Sequence, residues 1–291
     1  MVPLITQHLT EHSTKALPRT AVCALLAVAR ATYYRQPTAP EPDAGEMEVR
    51  DAIQRIALQW TSYGYRRITA ELRRQGFTVN HKRVLRLMRI DNLLCVRRGR
   101  LFVCTTDSRH SQPVYPNVAR EMVVTNINQL WRADITYVRL GREWIYLAVI
   151  LDAYSRRVIG WALSRHIDTE LTLAALRMAL GARQVAPGLV HHSDRGVQYA
   201  AADYVAALAA HQITISMSRR GNPYDNASCE RFMRTLKYEE VYLSEYETLL
   251  EAESSIGNFL EDVYNQKRLH SALGYVPPAE FEQSLKQPAY P

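Results

Sequence analysis

The chain has 291 residues, of which 47% are hydrophobic: enough for two or three domains rather than one, with an ordinary globular composition. No run of about 18 apolar residues occurs, which argues against a membrane-spanning helix, and the N-terminal MVPLITQHLTEHSTK lacks a secretory signal pattern, so the expected location is cytoplasmic. The net charge of +7 is uneven: residues 1–125 carry +9 and residues 126–291 carry −2.

Residues 17–35 read as one or two short helices, followed by a linker with prolines at 37, 40 and 42 that cannot continue a helix. Helical periodicity resumes over 46–60, where Ile53, Ile56, Ala57 and Trp60 form one apolar stripe. Ser62-Tyr63-Gly64 breaks it. A second helix, 65–75, stops at Gly76, and Asn80 can cap a third that runs to about residue 92. On that third helix Lys82, Arg83, Arg86 and Arg89 occupy one arc, while Val84, Leu85, Leu87 and Met88 occupy another that does not overlap it. Residues 66–100 hold 11 basic residues against Glu71 and Asp91. Three short helices with a basic last member suggest a helix-turn-helix module over 46–104, facing double-stranded DNA. Its candidate DNA-binding residues are Arg66, Arg67, Lys82, Arg83, Arg86 and Arg89.

A polar, proline-containing linker, 105–124, separates this module from a region of different character. Residues 131–140 and 144–152 read as a hairpin around Gly141, and 157–164 as a third strand. A helix over 168–180, a strand over 188–192, a helix over 200–210 and a strand over 213–217 follow. Helices over 224–240 and 246–266 come next, then an irregular tail ending near Pro277-Pro278. The order βββ-α-β-α-β-α is a mixed α/β domain with five strands. The four cysteines have no CxxC spacing, so neither a structural zinc nor a disulfide framework is expected.

Three carboxylates stand out. Asp134 interrupts an apolar strand, where an inward acid is costly unless paired or metal-bound. Asp194 follows a strand end in HHSDRG, where α/β folds commonly present ligands. Glu230 sits early in a helix whose start is marked by Asp225 and Asn226, in phase with Lys237 two turns on. Taken singly, each has a plain alternative: an edge-strand acid, a turn residue, a solvent-facing helix carboxylate. Asp152 reads as the cap of a turn, and at least one of His191 and His192 as strand packing. Together, carboxylates from separate elements suit hard divalent cations and phosphoryl transfer.

The spacing completes the pattern, with 59 residues between Asp134 and Asp194 and 35 between Asp194 and Glu230. With Lys237, this resembles the D,D-35-E signature of DDE transposases with a retroviral-integrase-like core. The blocks WRADITYV, HHSDRGVQYA, GNPYDNASCERFMRTLKYE and YNQKRLHSALGYVPPAEFE are similar to those of OrfB-type bacterial insertion-sequence transposases, the IS-three group. The resemblance covers roughly residues 17–285. It implies a ribonuclease-H-like core over 125–285, preceded by the helix-turn-helix. It implies Asp134, Asp194 and Glu230 as catalytic residues and metal ligands for two Mg²⁺ or Mn²⁺ ions, and Lys237 on DNA. It further implies 3′-end cleavage and strand transfer at the element's terminal repeats, a nucleoid location, and a homo-oligomer on DNA with a partner or fusion from an upstream frame. The alternative is a catalytically silent, end-binding regulator of transposition. Arg231 stands where the family usually has a small polar residue.

Overall fold

The computed structural model describes residues 19–25, 27, 29, 44–95, 113–219 and 223–286. The chain divides into two compact units, residues 1–50 and 51–291. The first contains α1 (Arg19–Leu25), inside the expected helical stretch. Residues 36–43 of the first proline-containing linker, Cys104, and residues 105–112 of the second lie outside the described residues.

Helix α2 (Ala44–Gln59) ends before the predicted break. Helix α3 (Tyr65–Arg74) stops where Gly76 takes φ +91°, a left-handed conformation that suits glycine. Helix α4 (His81–Ile90) starts at Asn80, whose side chain accepts a hydrogen bond from the Lys82 N–H. Ala52, Ile53 and Ile56 are buried, as are Ile68, Leu72, Val84, Leu87 and Met88. These stripes form the small core of the three-helix module.

The second region is built on a five-stranded sheet of order β3-β2-β1-β4-β5. Strands β1 (Leu130–Leu140), β2 (Glu143–Asp152) and β3 (Val158–Ser164) form an antiparallel meander. Strands β4 (Val190–Ser193) and β5 (Thr214–Met217) add in parallel beside β1. Parallel pairing needs a crossover, which α5 (Thr169–Ala182), then α6 (Val197–Ala200) and α7 (Ala202–Ala210) provide. This is the mixed sheet of the ribonuclease-H-like arrangement that the sequence implied.

Alternation along β1 and β2 sends side chains to two cores. Trp131, Ala133, Ala148 and Ile150 pack with Leu176 and Leu208 of α5 and α7. Val138, Leu140, Leu147 and Val149 pack with α8 (Ala227–Leu236) and α9 (Leu249–Asn258). At Gly160 the α5 backbone comes so close that an added Cβ would lie 2.2 Å from the Ala175 carbonyl oxygen.

Three expectations need correction. The helix expected over 246–266 begins at Leu249 and widens over Phe259–Tyr264. The segment expected as one helix over 224–240 is three pieces. A tight turn over Pro223–Asn226 precedes α8, and a wider helical turn over Lys237–Val241 follows it. The tail is not irregular throughout: Pro278 opens α10 (Pro278–Lys286). Proline suits a first helical position because its missing N–H would be unpaired there anyway.

The tail is tied to the sheet. Asn265 pairs with the edge of β3, accepting from the Val158 N–H (3.0 Å) and donating to its carbonyl (2.9 Å). Glu282 of α10 is buried and accepts from Ser155 (2.6 Å), Arg157 (2.8 Å) and Arg183 (2.5 Å). The tail also meets the helical module. The Leu269 N–H donates to the Tyr63 hydroxyl, and Arg74 makes two hydrogen bonds to Glu280.

Candidate active site

Asp134 lies on β1 just past the stretch that pairs with β4. The parallel register runs Leu130–Val190, Trp131–His191, Arg132–His192. Two residues further along, the same register sets Asp134 level with Asp194, the first residue after β4. Asp194 closes its own turn by accepting from the Gly196 N–H at 3.0 Å.

The third acid arrives on α8, whose start is fastened to β1. The Asn226 side-chain amide donates to the Ala133 carbonyl (3.1 Å), and the Cys229 thiol donates to the Arg132 carbonyl (3.5 Å). Arg132 in turn donates to the Asp225 carbonyl. Asn226 therefore marks the helix start, as read from sequence, but not by side-chain capping. Its amide serves the strand instead, because β1 has a bare carbonyl where β4 no longer pairs. Glu230, next to Cys229, is exposed.

The three acids are linked electrostatically at Asp134. Burial holds the Asp134 carboxyl well above its usual range, and the charges of Asp194 and Glu230 push it further. The Ile135 N–H, which donates to Asp134 at 2.9 Å, and the Lys237 ammonium oppose the rise. Lys237 is lowered from its ordinary value, chiefly by burial, with Asp134 acting in the opposite direction. Its ammonium stands 3.8 Å from the centre of the Tyr137 ring. The acids that follow it in sequence, Glu239 and Glu240, are engaged elsewhere. Glu239 pairs with Arg268, and Glu240 accepts from Tyr246 and Ser255.

Among the described residues, no group of three or more His, Cys, Asp or Glu encloses a metal position. The donor chemistry nevertheless fits a hard cation. All three groups are carboxylates, one is destabilised by the negative charge of the others, and Mg²⁺ ordinarily takes one or two carboxylates plus water and phosphate. Neighbouring polar groups are structural. Asp152 caps its turn, accepting from the N–H groups of Tyr154 and Ser155. His191 bonds the Tyr204 hydroxyl, and His192 lies between Ser216 and Ser218. Burial drives both imidazoles below their ordinary value, to about 3 and about 4.

In the helical module Arg66, Lys82, Arg83, Arg86 and Arg89 are exposed, so the basic arc of α4 faces outward. Arg67 does not join it. Its Nε donates to the Leu269 carbonyl (3.1 Å), its guanidinium lies over the Tyr63 ring, and burial lowers its pKa. Position 67 is next to the exposed 66 in sequence but on the inward side of α3. Asn226, Arg132 and Tyr137 were not singled out as site residues from sequence. The only sequence signals were a charged Arg132 in an apolar strand and an Asn at a helix start.

Residues 125–223 and 211–278 match integrase core domain models, and residues 45–100 match an HTH-like domain. An uncharacterized 31 kDa protein of insertion element IS600 from Shigella sonnei is 37% identical over 273 residues, covering 92% of this chain and 100% of its own length. Transposase InsF for insertion sequence IS3A, from Escherichia coli K12, is 34% identical over 284 residues, 96% of each chain. The chain belongs to the InsF-type insertion-sequence transposases. It is a DNA transposase with an integrase-type catalytic core. Among solved structures, a chain of the simian T-cell lymphotropic virus intasome superposes with TM-score 0.49 at 17% identity, covering 82% of this chain and 77% of that one. The HTLV-2 integrase catalytic core in complex with magnesium superposes at 0.42 and 16%, covering 53% and 96%. Among the described residues no helix is long and apolar enough to cross a membrane.

Proposed function

We propose that this transposase cleaves the 3′ ends of its own insertion sequence and joins them to target DNA, with Asp134, Asp194 and Glu230 holding two divalent cations, Mg²⁺ or Mn²⁺. The observation that carries the reading is the Asp134 carboxyl on β1, raised by burial and then by the charges of Asp194 from the β4 end and Glu230 from α8, in a chain of this family. Bound cations would neutralise charge on the scissile phosphate and activate the attacking oxygen. The chain's own part is positional. The β1–β4 register carries Asp134 level with Asp194, and the Asn226 bond to Ala133 ties the start of the helix that bears Glu230 to the strand of Asp134. Lys237, which opens the wide turn after the same helix, offers a cation to the DNA next to the cut. The module over 46–104 reads the element end through the exposed arc of α4, and 105–124 links it to the core over 125–285. One chain carries one carboxylate set while an element has two ends, so the reading takes a homo-oligomer on DNA, working with an upstream-frame product on the bacterial nucleoid.

Asp134→Asn, Asp194→Asn and Glu230→Gln test it with terminal-repeat DNA and Mg²⁺. Each should abolish strand joining and leave end binding largely intact. Near-normal joining by any one of them removes that residue from the set.

A further inference from the structure

Beside Lys237 lies a groove of about 710 Å³, the size of a small-ligand pocket. Tyr137, Trp144 and Tyr242 line it. Trp144 meets Tyr137 edge-on at 5.0 Å yet keeps 52% of its surface in solvent, and Tyr242 keeps 39%. Solvent-exposed aromatic side chains of this size in one concave surface mark a binding site rather than core. The wide turn after α8 sets the geometry: the Tyr242 N–H donates to the Lys237 carbonyl at 2.8 Å, so both residues belong to one turn beside the groove.

The occupant follows from the lining. Glu245 and Glu247 border the groove with Arg139 and Lys237, so the lining carries as many acids as cations and offers no net positive charge to a run of phosphates. A flat, neutral group needs none. Of the two cations in the lining, Arg139 donates to the Gly141 carbonyl (3.0 Å) and Lys237 lies over the Tyr137 ring; aromatic faces next to that ammonium suit a nucleobase whose own phosphate is held by the lysine. Lys237 is shared with the carboxylate site, since its charge acts on Asp134. The base concerned is therefore close to the scissile phosphate.

We infer that the Tyr137–Trp144–Tyr242 groove receives an unpaired base of the DNA strand adjoining the cut, stacked on Trp144. The inference rests on the catalytic reading above for the position of the DNA. An enzyme that acts within a duplex gains from such a platform because extruding a base has an unstacking cost that stacking on an aromatic side chain offsets.

The test uses the full chain, a short fluorescein-labelled oligothymidine, and a blunt duplex as control. Trp144→Ala should weaken oligothymidine binding about tenfold and leave duplex binding unchanged, while Trp144→Phe restores affinity. Oligothymidine should also quench tryptophan fluorescence in the native protein and lose that part of the quench in Trp144→Phe. Trp144 is half exposed, so its replacement does not endanger folding. Unchanged oligothymidine binding in both Trp144→Ala and Tyr242→Ala overturns the inference, whatever happens to joining. Self-association weakened by Trp144→Ala, with oligothymidine binding unchanged, also overturns it and assigns the groove to a second copy of the chain. Normal joining by Asp134→Asn would instead sink the catalytic reading and leave the oligothymidine result standing, so the two failures are distinguishable.

Discussion

The side-chain amide of Asn226 donates to the carbonyl of Ala133 at 3.1 Å, and this bond fixes the helix of Glu230 to the strand of Asp134. Asn226 is buried, and the Ala133 carbonyl lies just beyond the β4 pairing. Asn226→Ala should cost about 1–3 kcal/mol, the range for stranding a buried polar group. Joining should fall more steeply than end binding, because the helix start loosens while the DNA-binding module is untouched. Thermal melting and a joining assay on one preparation check both parts. Equal losses of joining and end binding would remove the positioning role.

Glu282 gives a pH dependence with a definite sign. Burial works to raise its carboxyl, but hydrogen bonds from Arg183, Ser155 and Arg157 hold it below the ordinary glutamate value of 4.5. The unfolded chain therefore binds this proton more readily than the folded one. The stabilisation is complete above the ordinary value and is lost as pH falls through the lower folded one. Glu282→Gln should cost about 3–5 kcal/mol near neutrality, since two arginines lose their buried counter-charge. The gap in melting temperature between wild type and Glu282→Gln should narrow on acidification toward about pH 4. A gap independent of pH would show that the carboxylate charge is not what matters.

Lys237→Ala should weaken binding of the element's terminal DNA, lower joining, and reduce the salt slope of binding by about one unit. Lys237→Arg should retain much of the activity because the charge remains. The melting temperature should barely move in either variant. Unchanged end binding and joining in Lys237→Ala would reduce this residue to a cation packed on Tyr137.

Arg67 and the arc of α4 should separate cleanly. Alanine at Arg83, Arg86 or Arg89 should lower duplex affinity and reduce the salt slope by at most about one unit each, with no loss of stability. Arg67→Ala should leave the salt slope alone and destabilise by about 1.5–3 kcal/mol, the range for a hydrogen bond from a charged donor. A salt-slope change in Arg67→Ala would return that residue to the DNA surface.

Much of this protein was legible in its sequence because the signals are local. Alternation placed β1 and β2, the Asn80 and Gly76 signals bounded the module's helices, and the spacing of Asp134, Asp194 and Glu230 carried the family pattern. The basic arc of α4 followed from helical phase alone, since exposure there depends only on which side is apolar. The rest needed the tertiary structure, because it depends on which backbone groups lack partners once the sheet is assembled. Asn226 reads as a cap until β4 ends early and leaves the Ala133 carbonyl bare. Arg66 and Arg67 are indistinguishable as charges, and only the position of Leu269, 202 residues after Arg67, turns one inward. Pro277-Pro278 reads as an ending, yet α10 begins there and sinks Glu282 between two arginines that come from distant parts of the chain. Sequence periodicity reports the face of one element; the partner of a buried polar group is chosen by the packing of several.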